Sequence, residues 1–243
     1  MKLIFLIGKK RSGKDTTADY IMQKHNAIKH QLAGPIKDAL CFGYQAIIMA
    51  HDSCYEFPIL TRKEWEGENY DRETNLNLSK GQVVEIMEAA MWYLNSRLQI
   101  TETRFSESSL DRVSLNIVKR VINSIEDEWS VRRLMQTLGT DIMVNYFDRM
   151  YWVKWFSLVF LEQFSTKSKY DFFIVPDTRQ DHELDAARAM GATVIHVVRP
   201  DLVYSKVDTH ITEAGLPVRE GDTVITNDGS LEELYAKIEK AIK

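Results

Sequence analysis

The chain has 243 residues, enough for one large domain or for a core with a sizeable insertion. Its net charge of -4 and pI near 5.9 argue against binding nucleic acid over its whole surface. Its two cysteines cannot form a disulfide framework or, with the scattered histidines, a zinc site. The apolar N-terminal run is too short for a signal peptide, and no later stretch reaches the length of a membrane span. We therefore expect a cytoplasmic protein without a membrane partner.

The first predicted elements alternate between strand and helix. A buried-type strand at about 3–7 is followed by a glycine turn and an amphipathic helix. A Gly-Pro pair at 34–35 predicts the start of a second helix, because proline suits the first helical position. Ser79 and Gln82 have the spacing of a capping box and predict the start of a third helix.

The rest of the middle of the chain is predicted to be loop and helix. Residues 51–79 and 96–112 are polar and irregular, which indicates loops. A long helical pattern then runs from about 114 to 164, with predicted breaks near Ser130 and Asn145.

Strand patterns return in the last third of the chain. The predicted strands are Phe172–Val175, Thr193–Val198 and Thr223–Thr226, with helices at about 181–190 and 231–242. Strands at both ends of a chain, with helices between them, predict an α/β core with a parallel sheet flanked by helices. We expect residues 1–34 and 166–243 to form this core. Residues 35–165 would be a largely helical insertion that folds over its face.

A phosphate-binding loop is predicted directly after the first strand. The run Gly8-Lys9-Lys10-Arg11-Ser12-Gly13-Lys14 matches G-x-x-x-x-G-K and leads into the first helix. Glycines let backbone N–H groups surround phosphate oxygens, and the helix N-terminus adds its positive end. Lys14 can then reach the β- and γ-phosphates as a point charge. This context predicts a P-loop NTPase core, and the extra charge of Lys10 and Arg11 suits a transferase with two phosphorylated substrates.

The residue after Lys14 departs from the usual pattern. A Ser or Thr hydroxyl normally helps to hold Mg²⁺ at this position, but this chain has Asp15, followed by Thr16 and Thr17. Three interpretations remain open. The Asp15 carboxylate holds the metal through a water molecule, a neighbouring threonine replaces the missing hydroxyl, or the position has no metal function.

A second candidate carboxylate follows the strand at 172–175. P-loop folds place the acidic partner of Mg²⁺ at the end of such a strand, where this chain has Asp177. Arg179 follows two residues later, at the edge of the sheet where open α/β folds bind ligands. In the alternative interpretation, Asp177 only begins a turn and Arg179 pairs with Asp181 on the surface.

Several cations of the helical middle are candidates for contacts to a transferred or accepted phosphate. Arg132 and Arg133 are adjacent, and neighbouring helical residues point about 100° apart, so we expect only one of them to reach the site. Lys37 and Arg72 are further candidates. Gly139 interrupts a helix at a cost in stability, which indicates that another group approaches its backbone closely.

Many ordered segments carry a family resemblance. They are Lys10–Thr17 with Gly8, Ala33–Lys37, Tyr70–Asn75, Trp129–Arg133, Leu138–Asp141, Pro176–Asp181 and Asn227–Leu231. Together they resemble the deoxynucleoside monophosphate kinases of T-even-like bacteriophages. The resemblance covers nearly the whole chain and is weakest at about 41–57 and 96–118. The phosphate loop of this family reads Lys-Asp-Thr-Thr, so Asp15 is expected there.

The resemblance implies an activity. It is the transfer of the γ-phosphoryl group of ATP, with Mg²⁺, to deoxynucleoside 5′-monophosphates such as dTMP, dGMP and 5-hydroxymethyl-dCMP, which supplies DNA precursors. It also implies a homodimer in the cytoplasm of the phage host, with no direct binding to nucleic acid. The helical insertion becomes the acceptor-binding and lid region.

The site residues follow from the loop and from the resemblance. ATP contacts are expected from Gly8, Ser12, Gly13, Lys14, Asp15, Thr16, Thr17 and Asn227, the last within a segment that resembles the loop bordering adenine in related kinases. Acceptor contacts are expected from Lys10, Ile36, Lys37, Arg72, Arg132, Gly139, Thr140, Trp152, Asp177 and Arg179. Charge stabilisation in catalysis is expected from Lys14, Lys10, Arg11, Arg132 and Arg179. Asp15, Thr16 and Asp177 are the candidates for holding Mg²⁺, directly or through water.

Two other functions would fit the loop. A P-loop kinase of a non-nucleotide phosphorylated molecule, such as phosphomevalonate, would share the fold and differ in its acceptor. A regulatory nucleotide-switch ATPase would need no acceptor; the chain lacks the Asn-Lys-x-Asp signature of guanine binding, since Asn227-Asp228 has no lysine.

Overall fold

The computed structural model describes residues 1–9, 11–50, 57–97, 105–106, 109–165, 170–200 and 216–243. The chain divides into two compact units. Met1–Leu32 and Phe156–Lys243 form the first, which we call the α/β unit, and Ala33–Trp155 form the second, which we call the helical unit. The boundaries between the core and the insertion were predicted from the sequence after residue 34 and after residue 165. In the structure the second one falls within a helix, Tyr151–Ser165.

The described ranges contain helices throughout and strands mainly toward the two ends of the chain. In chain order they are β1 (Lys2–Ile7), α1 (Lys14–Lys24), β2 (Ala27–Lys29), α2 (Gly34–Ala50), α3 (Arg62–Glu66), α4 (Lys80–Arg97), β3 (Phe105–Ser106), β4 (Ser109–Leu110), α5 (Arg112–Asn123), α6 (Val131–Gln136), a π-helical segment (Thr137–Phe147), α7 (Tyr151–Ser165), β5 (Phe172–Val175), α8 (Asp181–Ala189), β6 (Thr193–Val198), β7 (Thr223–Thr226) and α9 (Leu231–Ile242).

The α/β unit is built on a five-stranded sheet with the order β2-β5-β1-β6-β7, in which every neighbouring pair is parallel. The side chains of β1, the central strand, alternate between two apolar cores. Leu3, Phe5 and Ile7 join the core that contains residues of α7 and α8. Ile4 and Leu6 join the core that contains residues of α1 and α9. A strand buried on both faces must be apolar throughout, which is why its sequence is a continuous hydrophobic run.

The helical unit packs around one large apolar core. The close approach of α2 to α4 depends on Gly43, because a Cβ there would lie 2.5 Å from the carbonyl oxygen of Ile86. Strands β3 and β4 form a separate antiparallel pair. The π-helical segment follows α6 without a break and ends at Phe147. The N–H of Asp148, the next residue, bonds to the carbonyl of Met143.

The α/β fold class predicted from the sequence, with its parallel sheet flanked by helices, is confirmed. Three details of the element prediction were wrong. The regions taken as loops contain α3, β3 and β4, and the three-residue strand β2 was missed. The predicted break near Asn145 falls instead at Asp148, since Asn145 lies inside the π-helical segment. The break near Ser130 is correct, because Ser130 caps α6.

Both predicted capping boxes are present. Ser79 and Gln82 exchange hydrogen bonds of 2.9 and 3.2 Å before α4, and Ser230 and Glu233 do the same before α9. Within the described ranges, no helix combines the length and the apolar character that a membrane crossing requires.

Candidate active site

The backbone of the glycine loop after β1 requires glycine at two positions, Gly8 and Gly13. A Cβ on Gly8 would lie 2.3 Å from the hydroxyl oxygen of Ser12 and 2.6 Å from the carbonyl oxygen of Val197. Gly13 has a φ of +103°, in the left-handed region that favours glycine, and Arg11 has a φ of +65°. Gly8 therefore allows other atoms to approach the start of the loop closely, and Gly13 allows the left-handed turn at its end.

Asn227, just beyond β7, supports this loop from outside. Its side-chain amide donates a hydrogen bond of 2.9 Å to the carbonyl oxygen of Ser12. The same nitrogen would lie 2.5 Å from a Cβ on Gly13. The backbone N–H of Asn227 bonds to the carbonyl of Val198 at 2.7 Å, which ties this residue to the end of β6.

Helix α1 begins at Lys14 and directs its N-terminus toward the loop. The Lys14 side chain is only 9% exposed, and its Nζ lies 3.4 Å from Oδ2 of Asp15, whose side chain is 73% exposed. Thr17 is fully buried and donates its hydroxyl to the carbonyl of Gly13 at 3.0 Å, so it closes the first helical turn. Ser12 Oγ is also buried, and among the described residues it has no hydrogen-bond partner.

A cleft of about 350 Å³ opens beside the loop. Its lining comprises Arg11, Gly13, Lys14, Asp15, Thr16, Arg199, Asn227, Gly229, Leu231 and Leu234. The backbone N–H groups of the loop and the positive charges of its lysine and arginine residues suit the phosphates of a nucleotide. The leucines of α9 suit an apolar ring. Arg199, directly after β6, was not among the predicted residues, although the sequence pattern that pointed to Asp177, a charged residue shortly after a buried strand, applies to it as well.

The oxygen donors beside Lys14 suit magnesium. Mg²⁺ is usually held by one or two carboxylates together with substrate phosphates and water, and a cage of protein ligands is unnecessary. The described residues contain no cluster of three or more His, Cys, Asp or Glu side chains that could hold a metal ion. Asp15 and Thr16 both line the cleft, so a carboxylate and a hydroxyl are available there.

Asp177 and Arg179 follow β5, the neighbour of β1 in the sheet. Asp177 Oδ1 accepts a hydrogen bond of 2.8 Å from the N–H of Leu32, so this carboxylate also holds the segment after β2. The N–H groups of Arg179 and Gln180 donate to Glu183 Oε2 at 2.9 and 3.0 Å. Burial raises the pKa of Glu183 to about 7, against the opposing effect of these two hydrogen bonds. Glu183 was not among the residues predicted from the sequence.

Lys37 lies in the first turn of α2 and is buried. Its Nζ pairs with Oε2 of Glu66, at the end of α3. Glu66 also pairs with Arg62, which in turn pairs with Asp38. Sequence reasoning singled out Lys37 alone, because the partner belongs to a helix that was not predicted.

Arg72 and Arg132 are adjacent in space, since the N–H of Arg132 bonds to the carbonyl of Arg72 at 3.0 Å. The Arg132 side chain is 14% exposed and pairs with Glu73. Arg133 instead pairs with Asp127 at 2.7 Å, with a side chain that is 22% exposed. The two adjacent arginines therefore point to different partners.

The remaining candidates of the helical unit meet at the π-helical segment. A Cβ on Gly139 would lie 2.8 Å from Cδ1 of Ile36, which is the close approach that the glycine indicated. Trp152 donates its indole N–H to the carbonyl of Gly139 at 2.8 Å. Thr140, the next residue, is buried.

Each unit thus brings together its own set of predicted residues. The α/β unit gathers Gly8, Ser12–Thr17 and Asn227 around one loop and places Asp177 and Arg179 after the neighbouring strand. The helical unit links Arg72 to Arg132 and joins Ile36 and Trp152 to Gly139. Lys10 lies outside the described residues.

A parallel sheet with G-x-x-x-x-G-K after its central strand, and a helix starting at the lysine, is the α/β fold of P-loop kinases. A comparison with known sequences narrows this class. The chain belongs to the deoxynucleotide monophosphate kinase family, whose sequence model matches residues 2–238.

Three relatives illustrate the range of similarity. The chain is 61% identical to the deoxynucleotide monophosphate kinase of Enterobacteria phage T4, over 100% of this chain and 99% of that protein. It is 51% identical to the enzyme of the same name from Escherichia phage RB69, over 100% of both chains. It is 23% identical to a putative deoxynucleotide monophosphate kinase of Acanthamoeba polyphaga mimivirus, over 98% of this chain and 94% of that protein. The family resemblance inferred from the motifs is confirmed.

Proposed function

We propose that this chain transfers the γ-phosphoryl group of ATP to deoxynucleoside 5′-monophosphates, with dTMP, dGMP and 5-hydroxymethyl-dCMP as acceptors. Its family and its relatives are named for the phosphorylation of deoxynucleotide monophosphates. The observation that carries the donor half of the proposal is the phosphate loop. Gly13 turns left-handed and a buried Lys14 starts helix α1 in the wall of a cleft.

In this proposal the cleft takes the triphosphate of the donor. The backbone N–H groups of the loop and the Lys14 ammonium bind the β- and γ-phosphates, and the buried hydroxyl of Ser12 can turn toward a phosphate oxygen. The adenine ring lies toward Gly229 and Leu231, with Asn227 between the ring and the phosphates. Arg11 contributes charge from its exposed position in the loop.

Asp15 and Thr16 are proposed to hold Mg²⁺, with Asp177 as a further carboxylate, directly or through water. When bound, the ion neutralises charge on the β- and γ-phosphates. Thr17 is a less suitable ligand, because its buried hydroxyl donates to Gly13.

The acceptor contacts proposed here follow from the family resemblance. Lys37, Arg72, Arg132, Arg179 and Lys10 would bind the monophosphate. Ile36, Gly139, Thr140 and Trp152 would contact the nucleoside, and Asp177 would complete the set.

The proposed chemistry is a direct, in-line transfer. A phosphate oxygen of the acceptor forms a bond to the γ-phosphorus while the bond to the β–γ bridging oxygen breaks, and ADP leaves. No covalent enzyme intermediate is needed, because the acceptor phosphate is already nucleophilic at neutral pH. The protein supplies position and charge, with Lys14 on the donor and Arg132 or Arg179 on the acceptor.

A coupled assay of ADP release tests the proposal. The purified protein is given ATP and Mg²⁺ with dTMP, dGMP, 5-hydroxymethyl-dCMP, dCMP or dAMP, or with no acceptor. Turnover with at least one of the first three is expected. Failure with all three would contradict the proposed acceptors. ATP turnover without an acceptor would favour the switch ATPase, and turnover only with a phosphorylated non-nucleotide would favour the other kinase.

The homodimer, the absence of nucleic acid binding and the cytoplasmic location remain predictions. Light scattering of the purified protein in solution would test the first of them.

A further inference from the structure

The ion pair between Lys37 and Glu66 contains a buried lysine. Lys37 is 5% exposed, although lysine is rarely buried unless it is paired. Its Nζ contacts Glu66 Oε2, on a side chain that is 28% exposed. A buried ammonium without a counter-charge is costly, so the carboxylate explains how Lys37 can stay inside.

The orientation of the Glu66 carboxylate is determined by two different cations. Oε2 faces Lys37, while Oε1 accepts a bond of 2.5 Å from Arg62. Arg62 also binds Asp38, the neighbour of Lys37 on α2, at 2.6 Å. Burial opposes ionisation of Glu66, but the hydrogen bonds from Lys37 and Arg62 prevail and lower its pKa. Glu66 is therefore a carboxylate of defined charge and direction.

The helix that carries Glu66 is itself held firmly. Trp65 is fully buried. Thr61 and Glu64 form a capping box at the start of α3, and Gly67 ends it with a φ of +85°. The five-residue helix is thus held at both ends and through its centre, so the backbone of Glu66 is fixed in position.

The end of α3 also borders the other cations proposed for the acceptor. A Cβ on Gly67 would lie 3.1 Å from Nε of Arg72, so the arginine packs over the bare glycine. Arg72 in turn accepts the N–H of Arg132 at its carbonyl oxygen. Glu66 consequently stands within the part of the helical unit that carries all three cations.

We infer that Glu66 is a positioning residue, which holds the ammonium group of Lys37 in place for the phosphate of the acceptor. The inference rests on the proposed function, in which Lys37 contacts that phosphate. A lysine side chain is flexible, so a carboxylate that Arg62 holds in place can fix the position of its ammonium group. Without the carboxylate, burial favours the neutral amine or a side chain turned toward water.

The experiment compares Glu66→Gln, which keeps the shape and removes the charge, with the unaltered protein. The dissociation constant of dTMP, measured by calorimetry without ATP, is expected to rise about tenfold. The KM for dTMP should rise with it, whereas the KM for ATP should stay the same. Glu66→Asp, which keeps the charge on a shorter side chain, should restore part of the affinity. Glu68→Gln, an exposed change two residues away, is the matched control and should bind dTMP normally.

A double-mutant cycle with Lys37→Met separates positioning from a general structural role. If Glu66 acts through Lys37, Glu66→Gln has no further effect on dTMP binding in the Lys37→Met protein. An equal effect in both backgrounds, or unchanged or tighter binding in Glu66→Gln alone, would overturn the inference. Circular dichroism and thermal unfolding show whether each variant is folded. If Glu66→Gln does not fold, Glu66→Asp replaces it in the cycle. Glu66→Asp should then weaken dTMP binding only when Lys37 is present.

Failure of the proposed function has a different signature. If Lys37→Met binds dTMP as tightly as the unaltered protein, Lys37 has no acceptor role and the proposed site is wrong. If Lys37→Met weakens binding and Glu66→Gln does not, only the inference about Glu66 fails.

Discussion

The side-chain amide of Asn227 hydrogen-bonds the carbonyl oxygen of Ser12 at 2.9 Å and joins two parts of the chain that are 215 residues apart. Because the same nitrogen occupies the space beside Gly13, the amide is part of the packing that surrounds the left-handed turn. The shape of the phosphate loop therefore depends on a residue after the last strand as well as on its own glycines.

Replacement of Asn227 by alanine should weaken ATP binding. The change removes one hydrogen bond, worth about 1 kcal/mol, and frees the loop to move, so we expect the KM for ATP to rise about tenfold. The KM for dTMP should change less than about twofold, because the proposed function assigns the loop to the donor and not to the acceptor. Steady-state kinetics with each substrate varied in turn measures both values.

Asn227→Asp provides a sharper comparison at the same position. A carboxylate has no N–H to donate and would face the carbonyl oxygen of Ser12, so this variant should bind ATP more weakly than Asn227→Ala. Equal or better ATP binding by the aspartate variant would contradict a role for the hydrogen bond.

Removal of the Lys14 ammonium should affect turnover more than any other change in the loop. Lys14→Ala is expected to lower kcat with dTMP at least about 100-fold, since fixed charge on the transferred phosphoryl group is a large part of such catalysis. Lys24→Ala alters an exposed lysine at the other end of α1 and is the control. Undiminished dTMP kinase activity in Lys14→Ala would refute the assignment of the donor site.

The glycine loop could be predicted because the residues that its backbone requires are contiguous in the sequence. Gly8 and Gly13 fall where a side chain would collide or where φ is positive, and an apolar strand precedes them. Asp177 and Arg179 were predicted by the same logic, as polar residues shortly after a buried strand, and they do follow β5; their role remains a prediction.

The supporting residues were missed because their signals are short or distant. The five residues of α3 show no measurable periodicity, so nothing in the sequence linked Glu66 to Lys37, 29 residues away. A π-helical turn has no composition that separates it from an α-helical one. Such contacts are decided by tertiary packing, which local propensity does not report.

Gly8 should tolerate no side chain. In Gly8→Ala the new Cβ would lie 2.6 Å from the carbonyl oxygen of Val197, a backbone atom that cannot turn away. We expect a loss of stability of about 1–3 kcal/mol and at least tenfold weaker ATP binding, measured by chemical denaturation and calorimetry. Gly81→Ala is the control, because the nearest atom to its Cβ would be 3.8 Å away. It should leave both quantities unchanged or stabilise α4 slightly.

Glu183 should make the protein less stable as the pH rises. Its pKa is raised from an ordinary 4.5 to about 7 in the folded state, mainly by burial. Between these values the folded protein keeps a proton that the unfolded chain has released, so stability falls through this interval and the loss persists above it. At about 1.4 kcal/mol for each unit of pKa, the full effect is roughly 3 kcal/mol.

Glu183→Gln removes this titration while its side-chain oxygen can still accept from the N–H groups of Arg179 and Gln180. Thermal unfolding is measured at pH 5, 6, 7 and 8. The stability of the variant relative to the unaltered protein should increase as the pH rises and reach a plateau above about pH 7. A constant difference across the series would show that Glu183 does not titrate in this range.

Asp15 should govern the response to magnesium. If its carboxylate holds the ion, Asp15→Asn will need about tenfold more Mg²⁺ for half-maximal activity, because a neutral amide is a weaker ligand for a hard cation. Asp15→Thr restores the hydroxyl usual at this position in P-loop folds and should respond to lower Mg²⁺ than Asp15→Asn. Activity titrated with MgCl₂ at saturating ATP and dTMP gives these values, with excess EDTA abolishing turnover in all three proteins. An unchanged magnesium requirement in Asp15→Asn would assign the ion to Thr16 or Asp177 instead, since Thr17 donates its hydroxyl within the first turn of α1.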